Sequence, residues 1–391
     1  MDGGVREGMV GFCRRLIQTP SLPGREEALA DLIRAEMQKL GYDQVWVDEV
    51  GNVIGCIRGR RRRPAVMFTA HMDHVDAGDP VLWSHPPYGG VLADGYLHGR
   101  GASDTKGAIA TQVYLPTLLT QRPLADVYVA QVVLEEKGGV GTQHLVKTLR
   151  PDVVILGEAT ANQLALGHRG RLEVVVTAAG RAAHASVPAR GVVPHYPMAR
   201  FLLRLRQLPM QSAGDLSATV APTLYYTDQK SANVIPGKAV LHLDWRTVPG
   251  EEPEDVLLRI DAILDQEMTA RLGAELLSTY TGVEVEMAKV RLPYRLDPQS
   301  WPVPRVRAAV RRTCRRPVAL GSWDFVTDAG YFAEQGIPVI GFSPGEEHYA
   351  HTYEDRVALA LMEEALACYP QIVRACQADH PRVGEEQPPP G

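Results

Sequence analysis

The stretch TAHMDHVDAG, residues 69–78, follows the apolar run AVMF with His71 and Asp73. In an extended chain these two side chains alternate onto one face. An imidazole and a carboxylate at the end of a buried strand are half of a metal site. The missing ligands must come from far along the chain, and the sequence offers them. Glu135 and Glu136 follow the apolar run DVYVAQVVL, and Glu158 follows DVVILG. Asp104 lies in the glycine-rich turn GRGASDTKG, and His351 lies in HYAHTYED. Ligands of open α/β sheets gather beyond the carboxyl ends of the strands, so these groups are expected to meet at one edge. Imidazole and carboxylate donors without cysteine suit zinc, with cobalt or manganese also compatible.

Two cations about 3.5–4 Å apart need about five protein groups, one of them shared. The expected set is His71 and Glu158 on one divalent ion, Glu136 and His351 on the other, and Asp104 bridging. Asp73 is expected to hold the far ring nitrogen of His71 with its carboxylate and so fix the tautomer. Glu135, beside a ligand without being one, is the expected general base for a di-metal-bound water, whose pKa falls from about 15.7 toward about 7. Each motif alone has a plainer reading. His-x-Asp is commonly a satisfied polar pair, and Glu-Glu a solvated one. GRGASDTKG lacks the GxxxxGK[ST] spacing of a phosphate loop. The argument rests on their shared placement at strand ends. His348 is a rival to His351.

Alternating elements position these groups. Amphipathic helices are predicted at 5–18 and 25–40, and strands at 44–47, 52–57 and 65–70. A helix at 105–119, a strand at 126–134, a helix at 141–149 and a strand at 152–157 follow. Apolar strands without a polar face predict an α/β fold whose mixed, mostly parallel sheet is covered by helices on both faces. From about residue 170 the pattern changes to strand 171–180, helix 194–208, strands 217–225 and 238–246, helix 252–268 and strand 280–287. That β-α-β-β-α-β order is the ferredoxin-like α+β pattern. Helices at 304–315, 326–335 and 357–377 and a strand at 338–342 restore the first pattern. The reading is a discontinuous catalytic domain, 1–169 and 288–391, with residues 170–287 inserted as a smaller domain. The tail GEEQPPPG is expected to be disordered.

Bulk composition excludes several function classes. The 391 residues exceed one ordinary core, and 45% are hydrophobic. A net charge of −5 disfavours general binding to nucleic acid or acidic membranes. The run RGRRRRP (58–64) is read as a solvated hairpin tip, because no aromatic residues interleave with it. The arginines of 305–316 are read as the wet face of a helix. Five scattered cysteines without a CxxC pair point to free thiols in a reducing compartment. No export signal or membrane-spanning run is visible, so a cytoplasmic location is expected.

The blocks TAHMDHVDAG, GRGASDTKG, VLEEKGGVGT, GEAT and YAHTYED resemble, in order, the metal-site segments of a di-zinc metallopeptidase and amidohydrolase family. Acetylornithine deacetylase, succinyl-diaminopimelate desuccinylase, aminoacylase and carboxypeptidase G belong to it. The stretch WSHPPYGGVLADGYLHGRGASDTKG is most similar to the YgeY-like hydrolase subgroup. The resemblance implies the ligand roles given above and a cis peptide after Asp104. It also implies that the inserted domain serves as a lid and joins a homodimer. His184, in GRAAHASVPARG, matches a histidine that stabilises the oxyanion, often in the partner subunit's site. Asn233, in SANVIPG, and Arg246, in DWR, match residues that hold the substrate's carboxylate. Two departures stand out. Tyr353 replaces the usual proline after His-Thr, and GVVPHYP lacks the usual Asn-Ala pair.

The expected activity is hydrolysis of an amide bond in an N-acyl amino acid or small peptide that carries a free carboxylate. Two alternatives remain: a non-catalytic relative that binds a small ligand or partner, and a mononuclear aminopeptidase.

Overall fold

The computed structural model describes residues 2–214 and 216–378. The tail GEEQPPPG lies outside the described residues. Two helices open the chain, α1 (Gly3–Gln18) and α2 (Glu27–Lys39). Their apolar stripes bury Met9, Phe12, Leu16 and Ile17 on one and Leu29, Ile33 and Met37 on the other. Strands β1 (Gln44–Val47), β2 (Val53–Ile57) and β3 (Arg61–His71) follow, then the short β4 (Val91–Ala93) and β5 (Tyr96–His98). Next come α3 (Gly107–Val113), β6 (Ala125–Val132), α4 (Val140–Thr148), β7 (Val153–Leu156) and β8 (Leu164–Ala165).

The inserted segment contributes β9 (Arg171–Ala179), β10 (Ala183–His184), α5 (His195–Leu205), β11 (Thr219–Thr227), β12 (Val234–Ile235) and β13 (Lys238–Arg246). It continues with α6 (Pro253–Asp261), β14 (Met268–Leu272) and the hairpin β15 (Ala274–Ser278) and β16 (Glu284–Ala288), and β17 (Val290–Arg291) follows just past the segment's expected end. The chain ends on α7 (Pro302–Cys314), β18 (Leu320–Gly321), α8 (Ala329–Glu334), β19 (Val339–Gly341), β20 (Arg356–Ala358) and α9 (Leu359–Gln377).

Eight strands form one mixed sheet in the order β1-β2-β6-β3-β7-β19-β8-β18. Its centre is parallel, β3 running with β6 and β7, and β19 with β7. The period of two explains why these strands are apolar throughout. Val66 and Phe68 of β3 and Val153 and Ile155 of β7 face the core under α1, α3 and α9. Met67, Val154 and Leu156 face the opposite core, with Leu145 of α4 and Phe332 of α8. Both faces are therefore dry. Phe68 meets Tyr369 of α9 edge-on, with ring centroids 4.8 Å apart.

The second sheet is antiparallel, β11-β13-β9-β14, with β17 also on β9. Leu172, Val174 and Val176 of β9 and Leu243 and Trp245 of β13 pack against Phe201 of α5 and Ile260 of α6. Its fourth strand differs from the expectation. The helix ends at Asp261, short of the expected 268, and β14 runs from Met268 through residues with no predicted strand. Met268, Ala270 and Leu272 alternate onto this core, but polar neighbours hide that short pattern in the sequence. Residues 280–287 instead enter the β15–β16 hairpin.

The run 58–64 also differs. Strands β2 and β3 flank β6 and do not pair, so no hairpin forms between them. The run is pinned by acids at the ends of neighbouring strands. Arg58 lies 2.7 Å from Asp126, and Arg63 pairs with Asp152. Gly59 is required here, since a Cβ would sit 2.2 Å from the Ala125 carbonyl carbon. No helix among the described residues is long and apolar enough to cross a membrane.

Phe68→Ala should lower unfolding free energy by about 3–5 kcal/mol, because it removes a ring that cannot be replaced without a cavity. Denaturant unfolding of the variant against the native chain measures this.

Candidate metal centre

Strand ends deliver the site. His71 closes β3, Glu158 lies just past β7, and Glu135 and Glu136 lie just past β6. Leu134 adopts φ +56, which turns the chain as it leaves the strand. Asp104 precedes α3, and the peptide to Thr105 is cis. His351, at φ +61, sits in the loop after β19.

The Asp104 carboxylate stands between two imidazoles. Its Oδ1 is 2.8 Å from His71 Nε2, and its Oδ2 is 3.0 Å from His351 Nε2. His351 Nε2 is also 3.0 Å from Glu136 Oε1, although the two residues are 215 positions apart. Glu158 Oε1 lies 3.7 Å from His71 Nε2. The donors fall into two groups, His71–Glu135–Glu158 and Asp104–Glu136–His351, with ligand atoms within 4.8 Å of one another in each. His348 is in neither group and lays its ring on Tyr349 at 3.9 Å.

The electrostatics fit a pair of cations. Burial pushes the Glu135 carboxyl up to about 8 and Glu158 well above the carboxylate range. Hydrogen bonds to Asp104 and Glu136 raise His351 to about 10. Burial opposes a charged His71 ring, yet Asp104 and Glu158 lift it well above its ordinary value. Protons thus balance carboxylates packed too closely to ionise together. Divalent cations would displace those protons and use the same donors.

Surrounding hydrogen bonds hold the donors in place. Asp73 accepts from the Glu135 amide at 3.0 Å and the Glu136 amide at 2.9 Å, one to each oxygen. This corrects the role expected for its carboxylate. His71 Nδ1 is 2.9 Å from the Asp73 backbone carbonyl, whereas the carboxylate is 3.6 Å away. The carbonyl fixes the tautomer, and the carboxylate orients the Glu-Glu pair. Asp355 accepts from the Gly101 and Ser103 amides at 2.7 and 2.9 Å, tying the His351 loop to the Asp104 turn. Tyr353, in the place of the usual proline, stands edge-on to Trp83 with centroids 6.0 Å apart.

The donors open into a cleft of about 650 Å³. Its far wall carries Arg171, Glu173, Arg246, Lys289 and Arg291. Arg246 lines the cleft and is held by Asp244 at 2.6 Å. His184 and Asn233 do not line this cleft. His184 ends β10 and Asn233 lies in the turn before the paired β12, where the Ala185 amide donates to the Asn233 carbonyl at 2.9 Å. His184 is exposed, its Nδ1 2.7 Å from Ser186 Oγ. Sequence reasoning missed Arg171, Lys289 and Arg291. Single basic residues in a strand give no signal until pairing sets which face they share. In the segment 321–330, Phe325 and Val326 line the cleft, whereas Trp323 turns into the core.

Residues 67–375 match the Peptidase family M20/M25/M40, and the chain belongs to that family. It is 28% identical over 380 residues to the uncharacterized protein YgeY of Escherichia coli (strain K12), covering 93% of each chain. It is 27% identical over 384 residues to a succinyl-diaminopimelate desuccinylase of Cereibacter sphaeroides, covering 93% of this chain and 98% of that one. Its fold superposes on Bacillus subtilis YxeP, a dinuclear metal-binding peptidase of family M20, with a TM-score of 0.70 at 16% identity. That match covers 96% of this chain and 99% of YxeP. The chain is a hydrolase of amide or peptide bonds.

Asp73→Ala should cost about 10–100-fold in metal affinity or turnover, since both glutamate amides lose their acceptor. Titration with zinc and steady-state rates check it. A second prediction concerns Glu26, which accepts from the Leu134 amide at 3.2 Å. Burial, then the nearby Asp73 charge, raises its carboxyl to about 7 from 4.5. The stability this group contributes is full below its unfolded pKa and is lost as pH rises through about 7. Glu26→Gln should therefore match the native chain near pH 4.5 and exceed it near pH 8, by at most about 3 kcal/mol. Denaturant unfolding of chelator-treated protein at the two pH values reads the difference.

Proposed function

We propose that the chain hydrolyses the amide bond of an N-acyl amino acid or small peptide with a free carboxylate. His71 and Glu158 would hold one divalent cation and Glu136 and His351 the other, with Asp104 available to both. The observation that carries this reading is Asp104, whose two oxygens each face a different imidazole at hydrogen-bonding distance. Zinc suits this donor set best, with cobalt and manganese compatible. When bound, the cations supply a water of lowered pKa and polarise the scissile carbonyl.

The chain's own residues complete the chemistry. Glu135 takes the proton of the attacking water and passes it to the leaving amine. Its amide is anchored on Asp73, so its carboxylate projects from a fixed backbone. Arg246 faces the cleft and offers two donors to a substrate carboxylate. The desuccinylase relative supports a substrate that carries a carboxylate.

Among the described residues, 2–169 and 288–378 make up the catalytic domain and 170–287 the lid. We assign dimerisation to the lid's edge strand β11. Among the described residues its outer edge has no neighbour in the sheet, and Leu224, Tyr225 and Tyr226 are 53%, 43% and 45% exposed. Tyr196 and Leu203 of α5 extend the apolar surface. Such an edge is expected to be covered. A second copy paired there would bring His184 and Asn233 to the partner's cleft, where His184 stabilises the oxyanion. The free cysteines support a cytoplasmic setting.

Glu135→Gln should keep its metal content and lose turnover by about 100-fold or more. Metal analysis beside a screen of N-acyl amino acids tests this, and native-level kcat would refute the base assignment. Leu224→Arg should convert a dimer to a monomer in sedimentation and lower turnover with it, because His184 no longer reaches a second site.

A further inference from the structure

Arg291 stands at the joint between the two sheets. Its strand β17 pairs with β9, placing Arg291 opposite Arg171. Arg171 and Arg246 share Asp244 within the lid, and Lys289 pairs with Glu173 there. Among these cations only Arg291 reaches Glu135, just past the end of β6. Its Nη2 donates to the Glu135 backbone carbonyl and lies 3.2 Å from Glu135 Oε1. Its Nη1 donates to Asp328 Oδ1.

Asp328 is itself fixed, because Thr142 Oγ1 donates to its Oδ2 at 2.5 Å. The Tyr331 ring flanks the guanidinium at 5.7 Å, and its hydroxyl donates to the Gly138 carbonyl at 2.7 Å. The Arg291 and Glu135 side chains are 11% and 10% exposed, and Asp328 is 2% exposed. A buried guanidinium is tolerated only when its donors are met, and here Asp328 and the Glu135 backbone carbonyl accept from it, with the Glu135 carboxylate as its charge partner. The fork is planar, so fixing Nη1 on Asp328 also fixes the direction of Nη2. Glu135 is thereby referenced to a rigid frame by a hydrogen bond at its carbonyl and by an ion pair at its carboxylate. Without the cation, two buried carboxylates face each other, and Glu135 is free to swing.

We propose that Arg291 is a positioning residue that sets the direction of the Glu135 carboxylate and does not bind the substrate's own carboxylate. This rests on the reading of Glu135 as the general base. The test uses full-length Arg291→Gln and Arg291→Lys, loaded with zinc alone. Expected are two metals per chain, KM within about threefold of native, and kcat lowered about 100-fold in Gln and about 10-fold in Lys. Methylguanidine should restore part of kcat to Arg291→Ala, which a purely structural loss would not allow. The crystal structure of Arg291→Gln should show the Glu135 carboxylate turned from its native direction. If the Gln variant fails to fold, the Lys variant keeps the charge Asp328 needs and carries the same measurements.

An unmoved Glu135 would overturn the proposal, as would a raised KM with native kcat. If the native chain binds two metals yet hydrolyses no amide, the functional reading fails, and the crystallographic direction of Glu135 still decides the role of Arg291.

Discussion

Four carboxylates crowded into one buried space are the constraint from which the rest of this structure follows. Asp104, Glu135, Glu136 and Glu158 line one cleft with only two imidazoles among them. Such a cluster cannot be fully ionised without cations, since like charges a few ångströms apart in a dry setting repel strongly. The fold holds the cluster together nonetheless. Each donor is anchored by a strand end or by a turn whose amides are already bonded, so separation of the charges would cost backbone hydrogen bonds. Asp73 and Asp355 bear much of this load, because each clamps two amides that lead directly to a donor.

The sheet explains why so few elements suffice. Parallel neighbours β3, β6 and β7 end at one edge, and each delivers its donor within four residues of its last paired position. Helices on both faces keep that edge rigid, and the second sheet supplies the opposing wall. The cleft thus has an acidic floor suited to metal, faced by a wall where Arg171, Arg246, Lys289 and Arg291 stand beside Glu173 and Glu275.

Much of this was legible in the amino-acid sequence, for a definite reason. Apolar strands announce themselves, and a charged residue immediately after one must sit at a sheet edge. His71, Glu136 and Glu158 are found that way. His351 and Asp104 lie in loops, and their positions followed from context, not periodicity. The role of the Asp73 carboxylate was misread because the choice between ring nitrogen and backbone amide depends on the turn after β6. Strand β14 was missed because three alternating apolar residues among polar ones cannot be told from a helix end. Arg291 was invisible for a related reason. Its partners, Glu135 and Asp328, lie far away in the chain, and no local pattern links them. His184 and Asn233 were placed by resemblance, and one chain alone does not bring them to the metal cluster.

The most direct measurement is a crystal structure of the zinc-loaded chain with anomalous data. The account predicts two peaks per chain, about 3.5–4 Å apart, each about 2.0–2.2 Å from a different oxygen of Asp104. A single peak, or two peaks that leave Asp104 uncoordinated, would contradict it.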